Sequence, residues 1–185
     1  MGMPAPQPVT TIEELLALPE DGERHELLDG VHVVTPSPSP RHQVVLRELY
    51  EELAGTVRDR TDIQALWSPA DLRLGPQTLV QPDLFLVRSH PGQALEHWQD
   101  MGTPLLVIEV LSPSTAAHDR GAKRQIYLDA GVEEYWIVDI DARMVERWKP
   151  GDERPEMVDG KLEWAVSTGA NGSIDLPNLF KRIEP

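Results

Sequence analysis

Leu105-Leu106-Val107-Ile108-Glu109-Val110-Leu111 is the most continuously apolar run in the chain and reads as a core strand. Ser112-Pro113-Ser114-Thr115 breaks it; a helix capped by Ser114 or Thr115 is then expected to run to about Ala130, with Gly131 as its stop. Tyr135-Trp136-Ile137-Val138 is the next strand. Strand, helix and strand in that order imply a parallel pair joined by a right-handed crossover. Glu109 is the anomaly in this plan. An unpaired buried carboxylate is costly, so such a group is held neutral or matched by a cation, a metal or a cluster of donors.

A second carboxylate repeats the pattern upstream. Asp83 opens the apolar run Asp83-Leu84-Phe85-Leu86-Val87 behind Pro82, which favours a strand start. Side chains alternate along a strand, so Glu109 lies with Val107 and Leu111, and Asp83 with Phe85 and Val87. If the two strands are neighbours in matching register, Asp83 and Glu109 converge on one cation. Hard ions that take carboxylates, carbonyls and water suit such a pair, which makes Mg²⁺ or Mn²⁺ the expected cofactor. Lys123 and Tyr127, four residues apart on the following helix, share a face, and Arg120 joins them one turn earlier. Lys123 is placed to orient a water or offset charge on a phosphoryl transition state, unless it forms a surface pair with Asp119. Glu26 is a further acidic candidate. His42 either contacts a phosphate or water, or simply fills the first turn of a helix.

Around this centre, Thr11 to Leu18 reads as a short helix with a Thr-x-x-Glu capping box. His25 to Leu28 and Val31 to Val34 flank Asp29-Gly30, a strong hairpin signal. A long helix is expected over about 41–59, strands at Ile63 to Trp67 and Ala70 to Leu74, a turn at Gly75-Pro76, and an irregular or partly helical segment at 94–101. Met144 to Trp148 and Lys161 to Val166 are expected in a C-terminal meander.

The 185 residues suit one domain, expected over 11–185 behind a flexible N-terminus at 1–10. No apolar run approaches the ~20 residues that span a bilayer, so no membrane association and a cytoplasmic location are expected. With no cysteine, disulfides and thiolate chemistry are excluded, and the six histidines contain no zinc motif. Any metal is oxygen-bound. A formal charge of −14 opposes non-specific binding to nucleic acid. Arg41, Arg47, Arg58, Arg120, Lys123 and Arg124 make a local basic surface only if folding gathers them.

Arg24-His25-Glu26-Leu27-Leu28-Asp29-Gly30, Ser39-Pro40-Arg41-His42, Gln81-Pro82-Asp83, Ile108-Glu109-Val110-Leu111-Ser112-Pro113-Ser114-Thr115, Lys123-x-x-x-Tyr127 and Glu134-Tyr135-Trp136-Ile137-Val138-Asp139 together resemble the Uma-type restriction endonuclease family of the PD-(D/E)XK nuclease superfamily. The resemblance covers about residues 11–150. It implies an α/β (α+β) restriction-endonuclease-like core, a mixed sheet flanked by helices, with Asp83 and Glu109 as metal ligands and Glu26 near the metal. The superfamily pattern wants Lys two residues after the acidic residue, where this chain has Leu111; in several relatives the Lys has moved to the neighbouring helix, which points to Lys123. The implied activity is metal-dependent hydrolysis of phosphodiester bonds in DNA, by a homodimer. A catalytically inactive binding or assembly module and a hydrolase of small phosphoesters are the alternatives.

Overall fold

The computed structural model describes residues 8–90, 96–98 and 101–183. Residues 1–7 of the expected flexible N-terminus, and parts of the 94–101 segment, lie outside the described residues.

Helix α1 (Ile12–Leu16) forms where the capping box predicts it: Thr11 Oγ1 accepts the Glu14 N–H at 3.2 Å and Glu14 Oε2 accepts the Thr11 N–H at 3.0 Å. Ile12 and Leu15 pack on Leu27 and Leu79. Strands β1 (Arg24–Leu28) and β2 (Val31–Thr35) are joined by Asp29 and Gly30, both at positive φ (50° and 83°), as a tight hairpin turn of the right twist requires. Helix α2 (Pro40–Val57) starts with Ser39 accepting the His42 N–H and Pro40 in the first turn, where its missing N–H costs nothing. It buries Val45, Leu49 and Leu53 completely, each contributing about 1.5–3 kcal/mol of apolar transfer.

Next come β3 (Ile63–Trp67), β4 (Leu72–Gly75), β5 (Thr78–Val80), β6 (Leu84–Arg88) and β7 (Leu106–Val110). Strand β5 corrects the sequence reading, which has only a turn between β4 and β6. It is three residues long, folds back on β4 as a local hairpin and pairs at long range with β1. The crossover helix is also different from expectation. It is α3 (Ala116–His118), a π-helical turn (Asp119–Lys123) and α4 (Arg124–Asp129), stopped at Gly131 with φ 91°. Thr115 stands at the N-cap but makes no capping bond there; its hydroxyl instead accepts the Ser112 N–H.

Strand β8 (Glu134–Asp139) runs parallel to β7, and β9 (Met144–Trp148) and β10 (Glu156–Val158) continue as a meander. The main sheet thus has the order β10-β9-β8-β7-β6-β3, with β2-β1-β5-β4 as a second sheet. The expected meander ends at β10. Strands β11 (Lys161–Ala165) and β12 (Asn171–Asp175) form a separate hairpin, followed by an unforeseen helix α5 (Leu176–Arg182) capped by Asp175. One face of the main sheet, with Leu106, Ile108 and Val110, packs on α2 and the C-terminal elements; the other, with Phe85 and Val107, packs on Ile126 and Tyr127 of α4. No helix among the described residues is long and apolar enough to cross a membrane.

Candidate functional site

Leu84 pairs with Ile108 across β6 and β7, and continuing this antiparallel register by one step sets Asp83 opposite Glu109. Both lie on the face of Phe85 and Val107, and both are 2% exposed. The condition set by the sequence, neighbouring strands in matching register, is met.

The two carboxylates differ in their partners. Asp83 Oδ1 accepts from both Nη1 and Nη2 of Arg24 at 3.0 Å, while Oδ2 accepts from His42 Nε2 at 3.0 Å and from the Val110 N–H at 2.9 Å. Burial raises the pKa of Asp83, but His42, Arg24 and the Val110 amide together outweigh it and hold the group down to about 2. Glu109 Oε1 accepts from Lys123 Nζ at 3.1 Å and from the Tyr127 hydroxyl at 2.8 Å. Here burial prevails: opposed by Lys123 but reinforced by Asp83, Asp119 and Glu26, it pushes Glu109 up to about 8.

Glu26 reaches the cluster from β1. Its Oε1 is 2.9 Å from Lys123 Nζ and accepts the Gln81 N–H at 2.7 Å, while its buried Oε2 has no hydrogen-bond partner among the described residues. The Gln81 backbone also accepts from Arg24 at 3.3 Å, so the Gln81-Pro82-Asp83 link is the joint at which the two sheets meet. Lys123 is 2% exposed and has Asp119 Oδ1 as a third neighbour at 3.9 Å. Burial alone lowers the Lys123 pKa, but Glu109, Glu26 and Asp119 more than reverse this, making Lys123 a permanent cation. The expected alternative, a surface pair with Asp119, is ruled out by its burial. Asp119 is itself pushed up to about 6, chiefly by burial.

Arg120 does not join this group. Its guanidinium pairs with Glu146 and Asp139, because the π-helical turn changes the helix phase and breaks the spacing that aligns Arg120 with Lys123 and Tyr127 in a regular helix. Two members were missed in the sequence. Arg24 is signalled only by lying two residues before Glu26, hence on the same face of β1; Asp119 is signalled only as the residue four before Lys123.

Asp83 and Glu109 line a cleft of about 450 Å³ walled by the 35–39 loop, the 112–115 loop and the Asp139–Asp141 turn. Its volume is within the usual range of ligand sites, about 300–1,000 Å³. Arg24, Arg41, His42 and Arg120 also line it, whereas Glu26, Lys123 and Tyr127 do not. Of the six basic residues, Arg41 and Arg120 meet at the cleft, each paired with carboxylates (Asp141 at 2.6 Å; Asp139 and Glu146), while Arg47 pairs with Glu48 and Arg124 lies 4.4 Å over the Trp148 ring. Ser112 Oγ lies 3.0 Å from Ser114 Oγ and 3.0 Å from Thr115 Oγ1, a local turn network rather than a nucleophile with a base.

Glu26, Asp83, Glu109 and Asp119 carry four formal negative charges, and Arg24 and Lys123 are the two permanent cations that contact them. The surplus is two negative charges, and burial pushes Glu109 and Asp119 towards their protonated forms. Among the described residues, no group of three or more His, Asp or Glu side chains is already disposed around one ion position. On Asp83 both oxygens already accept hydrogen bonds, Oδ1 from Arg24 and Oδ2 from His42 and Val110. The oxygen-only donor pair and the unpartnered Glu26 oxygen nevertheless fit a hard cation.

A solved structure from Anabaena variabilis, titled a putative nuclease belonging to DUF820, superposes with a TM-score of 0.79 over 94% of this chain and 99% of that one, at 21% identity. An uncharacterized protein of Synechocystis sp. is 29% identical over 152 residues, covering 80% of this chain and 78% of that protein. The model of the Uma2 family, described as "Putative restriction endonuclease", matches residues 12–177. The chain that sets Asp83, just before β6, opposite Glu109 of β7 therefore belongs to the Uma2 family.

Proposed function

We propose that this protein is an Mg²⁺- or Mn²⁺-dependent endonuclease that hydrolyses phosphodiester bonds of DNA. The observation that carries the reading is the pairing of Asp83 with Glu109 at the floor of the cleft, within a buried cluster with a formal surplus of negative charge. Asp83 and Glu109 are the proposed ligands. When bound, the metal supplies Lewis-acid polarisation of a phosphoryl oxygen and activation of water.

The remaining residues support that pair. Lys123 and Tyr127 fix the Glu109 carboxylate from beneath, and burial keeps the Tyr127 hydroxyl protonated as a donor. Lys123 is sealed from the cleft, so its proposed role is to hold Glu109 and Glu26 rather than to touch the scissile phosphate. Glu26 keeps Lys123 in place and adds to the negative field that draws in the metal. His42 orients Asp83 through Nε2, and its buried Nδ1 has no partner among the described residues. Arg120 acts at most at the cleft rim.

A homodimer working in the cytoplasm extends this proposal: half-exposed Trp67 at the β3 edge of the sheet offers apolar surface to a second copy. A second reading, hydrolysis of a small phosphoester, is favoured by one observation. Arg41 and Arg120 at the rim are already neutralised by Asp141, Asp139 and Glu146, which leaves little cationic surface for a duplex. Purified protein assayed with plasmid, single-stranded DNA and bis(p-nitrophenyl) phosphate in Mn²⁺, Mg²⁺ or EDTA separates the readings. Metal-dependent nicking of plasmid is the expected result. Hydrolysis of the small ester alone supports the second reading, and no hydrolysis of any of the three rejects both.

A further inference from the structure

The two permanent cations of the cluster are held in different ways. Lys123 is enclosed at 2% side-chain exposure, with carboxylate oxygens of Glu26 and Glu109 within 3.1 Å, and does not line the cleft. Arg24 is 18% exposed and lines the cleft. The oxygens of Asp83 differ in the same sense. Oδ2 is fixed by a backbone N–H of β7, which cannot withdraw without moving its strand, and by the buried ring of His42 in the first turn of α2. Among the described residues, Oδ1 is held by Arg24 alone, through two N–H groups at 3.0 Å on a long flexible side chain whose further hydrogen bond, to the Gln81 carbonyl, is a marginal 3.3 Å.

We propose that Arg24 is a displaceable counter-ion: it occupies Asp83 Oδ1 in the metal-free protein, yields that oxygen to the entering cation, and turns into the cleft to take a phosphate oxygen of the substrate. This inference rests on the reading of Asp83 as a metal ligand. Arg24 competes with the cation for one carboxylate oxygen, and two positive groups on that oxygen repel each other. A guanidinium released into the cleft is matched to a phosphate, which it binds through paired N–H groups. The arrangement couples the two binding events. Before the metal arrives, Arg24 is turned away from the substrate; after it arrives, Arg24 becomes the cation available to the phosphodiester.

The test is Mn²⁺ calorimetry on wild type, Arg24→Met and Arg24→Lys, with plasmid-cleavage kinetics beside it. Because metal entry no longer breaks a charge-assisted contact in Arg24→Met, its Mn²⁺ affinity is expected to rise about tenfold while turnover falls and KM for DNA rises. Arg24→Lys keeps the charge without the fork, and is expected to bind Mn²⁺ as wild type does but to show a raised KM. If Arg24→Met unfolds without metal, the rise in Tm on adding Mn²⁺ to Arg24→Lys, compared with wild type, decides; an equal or larger rise with impaired KM supports the proposal. A residue with only a structural role loses affinity and activity together. Wild type that binds Mn²⁺ while Arg24→Met binds it equally or more weakly overturns the displacement proposal alone. Wild type that binds no Mn²⁺ overturns it together with the metal-site reading.

Discussion

Lys123→Met removes the cation on which the buried carboxylates depend while keeping an unbranched side chain of similar length. Lys123 Nζ lies 2.9 Å from Glu26 and 3.1 Å from Glu109. Breaking a buried pair by removing one partner costs about 3–5 kcal/mol, a large fraction of the roughly 5–15 kcal/mol that stabilises a domain. The loss depends on pH. Glu109 rises from 4.5 to about 8 in the folded wild type, so the folded state binds a proton that the unfolded chain releases. Its contribution is complete below 4.5 and lost as pH rises through about 8, by up to about 1.4 kcal/mol per pH unit. Without Lys123 both buried carboxylates that it contacts lose their cation, and the pH dependence steepens. Urea denaturation of the metal-free proteins between pH 5.5 and 8 is the assay. The expected deficit exceeds about 3 kcal/mol at pH 7.5 and shrinks towards pH 5.5. A deficit under about 1 kcal/mol at pH 7.5, or one that ignores pH, refutes the argument.

Asp83→Asn and Glu109→Gln keep the size of each side chain and remove its charge; each is expected to abolish Mn²⁺ binding and DNA cleavage with the circular dichroism spectrum unchanged. Mn²⁺ affinity of wild type is expected to climb with pH up to about 8, by up to tenfold per unit, because the ion displaces the Glu109 proton. Calorimetry in buffers of different ionisation enthalpy reads that proton directly, and a pH-independent affinity contradicts it. At the acid end, Asp83 is held down from 3.8 to about 2, so its stabilisation is complete above 3.8 and is lost as pH falls through 2; Asp83→Asn is expected to flatten acid unfolding in that window. Far from the site, a Cβ on Gly172 meets Trp164 Nε1 at 3.0 Å and Thr56 Cγ2 at 3.2 Å, so Gly172→Ala is expected to cost about 1–3 kcal/mol in urea denaturation with Mn²⁺ binding untouched.

What could be read from the chain depended on how local the cause was. The capping box at Thr11 and Glu14, the Asp29-Gly30 turn and the apolar runs at β6 and β7 carry their instructions within a few residues, and the structure follows them. The placement of Asp83 against Glu109 needed only strand alternation and a matching register. Strand β5 was missed although the Gly75-Pro76 turn was marked: at three residues it is too short to show alternation, and it is completed by pairing with β4 and, some fifty residues away, β1. Strand β11 was read, but its partner β12 and α5 were not: a short amphipathic strand does not reveal which strand it joins, and Leu176 to Arg182 is too brief for helical periodicity to stand out. Arg120 was misplaced because the count along a regular helix fails at a π-helical turn. Arg24 was overlooked because an arginine at the start of a hairpin strand is ordinary until the fold brings Asp83 beside it.

The central claim is that Asp83 and Glu109 hold a divalent ion at the floor of the cleft. Anomalous diffraction from crystals of this protein grown with Mn²⁺ tests it most directly. The account predicts a manganese peak within ligand distance of carboxylate oxygens of both Asp83 and Glu109, absent from Asp83→Asn crystals prepared in the same way. A peak elsewhere, at the Asp139–Asp141 turn for example, or no ordered manganese with Arg24 still bound to Asp83, contradicts it.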